Sequence, residues 1–163
     1  MNTIETKVKS SMYEIYDVPF DDIVIDGISI DAWLDSTIPN RGIKGLAPTT
    51  SGWLMNKHDE KIVWDRLFPA DNQTTICPIL ICPDDNDFWC TTIVVEIEAK
   101  GDFVYWNRFG LNKKYEFEKY DTIGSDVEWF QSVGRLKFNA NEYSETFNLI
   151  KERNMKPNNG IQC

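Results

Sequence analysis

Three observations predict an α+β fold, with a mainly antiparallel sheet and a C-terminal covering helix. The first is the stretch Ile76 to Leu111. It runs from an apolar segment through an acidic turn into a long β-branched segment, then through Gly101-Asp102 into an aromatic segment. β-Branched and aromatic residues suit a pleated, half-buried surface. Gly at the first turn position supplies the positive φ of a two-residue hairpin. The second observation is Asn141 to Arg153, where Tyr143, Phe147 and Ile150 fall at helical spacing. The third is length. With 163 residues and 42% hydrophobic content, one domain spanning 1–163 with a sizeable core is expected.

Taken in order, residues 1–11 are polar and expected to be loosely ordered or to hold a short first element. Met12 to Val18 alternates and predicts a strand ended by Pro19. Asp22 to Ile30 holds two β-branched runs about Asp26-Gly27, a strong hairpin signal. Asp31 to Ser36 predicts a helical turn capped by Ser29 or Asp31, and Asn40 to Gly52 has loop composition. Residues 57–67 fit a helix or a hairpin, and strand is preferred for Ile62–Phe68.

In the central hairpin, Lys100 should pair with Phe103. Val95, Ile97, Ala99, Val104, Trp106 and Arg108 then share the core face. Val94, Glu96, Glu98, Phe103, Tyr105, Asn107 and Phe109 share a mixed face, open to water, a partner or a second copy. Tyr115 to Tyr120 alternates aromatic and charge and reads as a half-exposed strand. Val127 to Phe130 reads as a short helix or strand, and Arg135 to Phe138 as a strand. Asn141 is the expected N-cap of the last helix. Residues 155–163 are expected to be loose.

The chain carries a formal net charge of −9. Residues 1–100 hold 17 acids and 8 bases, whereas residues 101–163 hold 9 of each. No Lys or Arg lies between Lys9 and Arg41, while Glu14, Asp17, Asp21, Asp22, Asp26, Asp31 and Asp35 do. Such a field repels nucleic acid and attracts a basic partner, although an acidic surface also simply aids solubility. No run of 18 apolar residues or signal-peptide pattern is present, so a cytoplasmic protein is expected. Cys77, Cys82, Cys90 and Cys163 form no C-x-x-C pair. Reduced thiols, three of them in or beside buried strands, are expected.

No motif singles out a catalytic residue, a metal site or a cofactor. The one histidine, His58, sits in the polar pentad Asn-Lys-His-Asp-Glu, a surface-turn context. No G-x-S-x-G, phosphate-loop or dinucleotide fingerprint occurs. Asp84, Asp85 and Asp87 lack the order of a calcium loop. Abundant carboxylates leave a paired-acid hydrolase open without marking two of them. Trp89 and Trp33 stand out among six tryptophans because acids surround them: Asp84, Asp85 and Asp87 for the first, Asp31 and Asp35 for the second. An aromatic ring beside carboxylates suits a protein contact to Arg or Lys.

The run Pro78-Ile-Leu-Ile-Cys-Pro-Asp-Asp-Asn-Asp-Phe-Trp-Cys-Thr-Thr-Ile-Val-Val-Glu-Ile97, followed by Val104-Tyr-Trp-Asn-Arg-Phe-Gly-Leu111, resembles small bacterial immunity proteins. These are encoded beside polymorphic or contact-dependent growth-inhibition toxins. The resemblance covers about a fifth of the chain and implies stoichiometric neutralisation of a cognate toxin domain, basic and often a nuclease. On that reading Asp84, Asp85, Asp87, Trp89, Asp21, Asp22, Asp31, Trp33 and Asp35 form the partner surface of a monomer or homodimer. The alternatives are a carboxylate-based hydrolase, with a raised-pKa acid in a pocket, and an adaptor whose partner is not a toxin.

Overall fold

A computed structural model describes residues 1–10, 19–54, 56–84, 87–114, 116 and 122–155. The elements are β1 (Ile4–Lys9), β2 (Phe20–Ile25), β3 (Ile28–Ser29), α1 (Ile30–Thr37), β4 (Ala47–Pro48) and a 3-10 turn at Thr49–Ser51. They continue with α2 (Lys57–Leu67), β5 (Thr74–Ile81), β6 (Thr92–Lys100), β7 (Phe103–Asn112), β8 (Val127–Trp129), β9 (Leu136–Asn139) and α3 (Ala140–Met155). All described strand pairs are antiparallel, and the fold is α+β with α3 as the C-terminal helix. The strand expected at 12–18 and most of that at 115–120 lie outside the described residues, as do residues 156–163.

A three-stranded sheet has the order β1-β2-β3. Its Asp26-Gly27 turn follows from local chemistry: both residues take positive φ, 51° and 81°, as a two-residue turn matching strand twist requires. The N-terminal segment is a strand from Ile4 to Lys9, and Ile4 is buried in the core. The larger sheet runs β4-β5-β6-β7-β8, and β9 also pairs with β7. β8 takes the Gly110–Asn112 end of β7 and β9 the Phe103–Trp106 end, so two short strands share one edge.

The central hairpin closes as its turn chemistry dictates, with Lys100 opposite Phe103. One register shift then alters the expected faces. Ile97 pairs with Trp106, but Glu96 pairs with Arg108, so Asn107 is the extra residue of a bulge. Beyond it, Phe109 joins Val95 on the core side and is fully buried. Arg108 moves out to face Glu96 and is exposed.

Residues 57–67 form a helix, which corrects the strand preferred for Ile62–Phe68. Asn56 caps it, its side chain accepting from the His58 amide at 2.8 Å. Asp59, Val63 and Leu67 form its buried stripe, at i, i+4 and i+8. A narrow stripe with an aspartate in it gives little apolar periodicity. In α3, Tyr143, Phe147 and Ile150 are buried as their spacing predicts. Its cap is not Asn141 but Asn139, whose side chain accepts from the amides of Asn141 and Glu142 at 2.9 and 3.1 Å.

Among the described residues, one core joins both sheets and the three helices. Trp106 is its centre: fully buried, with Phe109, Phe138 and Tyr143 ring centroids 5.2 to 6.2 Å away. Trp106 Nε1 donates to Tyr143 Oη at 3.3 Å, and that hydroxyl donates to the Leu67 carbonyl at 2.8 Å. The helix α3, the end of α2 and the large sheet are thereby tied through one polar chain inside an aromatic cluster.

Candidate binding site

The structure separates the eight described members of the nine predicted partner residues into two groups. The β5–β6 loop keeps the first. Asp84 is exposed, Asp87 is half-buried, and Asp85 lies outside the described residues. Asp87 Oδ1 accepts from the Trp89 amide at 2.9 Å, an Asx turn that fixes the backbone where the chain reverses. Phe88 plunges into the core at 2% exposure, whereas the next ring, Trp89, is 57% exposed. The loop is thus pegged by one aromatic residue and exposes the other, two residues after Asp87. Cys90, expected near a buried strand, is exposed as well. Cys82 is half-buried, and Cys77 is fully buried, which pushes its thiol pKa far up.

The second group turns inward. Asp21 is buried and receives Arg153 Nη1 of α3 at 2.6 Å, joining β2 to the C-terminal helix. Asp22 and Asp31 are 3% and 2% exposed and meet at Ser29. Ser29 Oγ lies 2.6 Å from Asp31 Oδ1 and within hydrogen-bonding reach of Asp22 Oδ2. Lys9 Nζ is 3.0 Å from both Ser29 Oγ and Asp31 Oδ1, and 4.0 Å from Asp22 Oδ2. The Gly45 amide donates to Asp31 Oδ2 at 2.8 Å. Trp33 is half-buried, its ring 5.7 Å from Phe109, and Asp35 is half-exposed on α1. Most of these side chains hold the fold together, so Asp21, Asp22 and Asp31 are not a surface that a partner can touch. No local pattern signalled their burial, since an apolar neighbour one residue away in a strand, as Ile23 is to Asp22, points to the opposite face.

Burial pushes the Asp22 carboxyl above its ordinary value, more than the Ser29 bond, the Lys9 charge and the Ile23 amide lower it. Burial also raises Asp31, but bonds from Ser29, Gly45 and Lys9 outweigh it and hold that carboxyl below its ordinary value. A hydrolase reading needs such a raised acid at a cleft. The space beside this cluster, between Lys9, Gly45, Trp53 and Pro83, is about 10 Å³, room for roughly one water. Two larger grooves, of about 270 and 240 Å³, are lined around Trp129 and Phe130 and around Phe68 and Tyr143, away from both carboxylates.

The outer face of the large sheet is a feature the acid pattern did not reveal. Arg108 stacks over Trp129 and Arg135 over Tyr105, each 3.8 Å from the ring centroid, and Lys137 over Phe103 at 4.0 Å. Glu96 and Glu98 pair with Arg108 and Arg135 at 3.0 and 3.5 Å. The rings are covered by this chain's own cations, and the acids are matched. Alternation placed Phe103 with Tyr105, and Arg135 with Lys137, on one face each, but it put Arg108 on the opposite face, and only the bulge at Asn107 brings it here.

Among the described residues, no cluster of three or more His, Cys, Asp or Glu could hold a metal ion. Nor, among those residues, is any helix long and apolar enough to cross a membrane. No family model, curated protein or solved structure matches the chain.

Proposed function

We propose that this protein acts by stoichiometric binding of a basic protein domain, as an immunity protein binds its toxin, with the β5–β6 loop as the contact. The observation that carries the reading is Trp89, 57% exposed in the loop that also carries Asp84 and Asp87, while Phe88 anchors that loop. A large ring held out on a pegged loop contributes contact area at little entropic cost, and neighbouring carboxylates steer a basic partner toward it. The net charge of −9 supports the same steering. The surface is narrower than the acid pattern implies, because Asp21, Asp22 and Asp31 serve the interior.

The test is affinity capture of the tagged protein from its own host, at low salt and at roughly 0.5 M, where screening shortens charge interactions to a few ångströms. The expected result is one basic chain in one-to-one ratio, retained less well at high salt, and a host protected from that chain when both are expressed. A partner that is acidic, or one whose capture ignores salt, counts against the steering. No partner at either salt removes the reading and returns attention to the hydrolase and adaptor alternatives.

A further inference from the structure

The cluster Lys9–Ser29–Asp22–Asp31 poses a problem of proton supply. Ser29 has one hydroxyl proton and two acceptor lone pairs. Two carboxylate oxygens and one ammonium group lie in hydrogen-bonding reach of that single oxygen. If both carboxyls were ionised, Ser29 would donate to one and present bare oxygen to the other, inside the protein. One arrangement satisfies every contact. Asp22, as a carboxylic acid, donates to Ser29 Oγ. Lys9 Nζ donates to the same oxygen, and Ser29 donates to ionised Asp31. Asp31 then also receives Lys9 and the Gly45 amide. Its charges balance: one ammonium, one carboxylate and one neutral acid.

We propose that these four side chains form a proton-gated clasp that joins the end of β1, the β2–β3 hairpin, the start of α1 and the Gly45 loop, with the gating proton on Asp22. Loss of that proton sets two buried carboxylates against a single lysine and loosens the four segments from one another. The other groups around Asp22 do not change this count. Lys7 stands opposite Asp22 in the β1–β2 ladder, but its side chain is 62% exposed and its ammonium lies 3.6 Å from Glu5. β1 also contributes the Thr6 hydroxyl, which donates to the Asp22 carbonyl rather than its carboxyl. On β2 the Ile23 amide donates to Asp22, β3 supplies only Ser29, and α1 supplies Asp31. Lys44, on the Gly45 loop, is exposed. Among the described residues, Lys9 is the one cation held in the cluster.

The direction of the pH effect follows from linkage. An acid whose folded pKa is raised binds its proton more tightly in the folded state. Once pH exceeds 3.8, the ordinary value, the unfolded chain has lost that proton and the folded chain has not. Stability therefore falls as pH rises through the window, until folded Asp22 ionises too.

The experiment compares urea unfolding of the wild type and Asp22→Asn from roughly pH 4 to pH 8, since an Asn amide donates to Ser29 without titrating. The expected result is a wild-type unfolding constant that climbs relative to the variant as pH rises through the window, with the slope of one proton, about tenfold per pH unit, as its ceiling. A ratio that is flat, or that falls with pH as for an ionised Asp22 paired with Lys9, overturns the proposal. Should Asp22→Asn fail to fold, carboxyl ¹³C titration of the wild type decides. Asp22 should have its midpoint above 3.8 and Asp31 below it. An Asp22 midpoint at or below the ordinary value overturns the clasp.

Discussion

Tyr143 carries two hydrogen bonds across the core, one received from Trp106 and one given to the Leu67 carbonyl. It is 1% exposed, and burial holds its hydroxyl pKa well above the ordinary value, so the group stays neutral and able to donate. Replacing Tyr143 with Phe leaves a buried N–H and a buried carbonyl without that partner. A loss of about 1–3 kcal/mol in urea unfolding is expected. A second residue-scale expectation concerns acid. The stability that ionised Asp31 contributes is present above pH 3.8 and is lost as pH falls through its lowered folded value. Asp31→Asn should therefore unfold with less dependence on pH in the acid range than the wild type. At this scale, the sequence told core from surface well for Tyr143, Phe147 and Ile150, because a helix repeats every 3.6 residues. It misplaced Asp21, Asp22 and Asp31 because an aspartate reads as surface unless its partners are known. Those partners, Arg153, Ser29 and Lys9, lie 132, 7 and 22 residues away.

At the scale of elements, the two candidate caps of α3 give a paired expectation. Asn139→Ala should cost about 1 kcal/mol in chemical unfolding, whereas Asn141→Ala, whose side chain is exposed in the first turn, should cost little. Equal losses would contradict the cap assignment. Gly110 tests how β8 sits on β7. A Cβ there would stand 2.4 Å from Val127 Cγ1 and 2.8 Å from the Glu128 carbonyl. Gly110→Ala should therefore cost about 1–3 kcal/mol by overpacking, with amide exchange first accelerated in β8. The hairpins at Asp26-Gly27 and Gly101-Asp102 were legible because two-residue turns demand particular residues. The bulge at Asn107 was not, since a single unpaired residue leaves the local alternation intact and shows only in the partner register. Nor was α2 clear, because its first-turn charges and its buried Asp59 dilute the apolar stripe that would have marked a helix.

For the molecule as a whole, the fold class followed from one central hairpin and one terminal helix, while the contact surface depended on how distant segments meet. The outer sheet face shows why. Arg135 and Lys137 reach β7 aromatics only because β9 returns to pair with Phe103–Trp106. The internal use of Asp21, Asp22 and Asp31 likewise concentrates the proposed contact on the Trp89 loop. The measurement that tests this most directly is the affinity of the captured partner for the wild type, Trp89→Ala and Trp33→Ala side by side. Trp89→Ala should weaken binding by at least tenfold, about 1.4 kcal/mol, with unchanged thermal stability. Trp33→Ala should lower stability, because that ring packs on Phe109, and spare affinity. Full affinity in Trp89→Ala, or a loss confined to Trp33→Ala, would rule out the Trp89 loop as the contact.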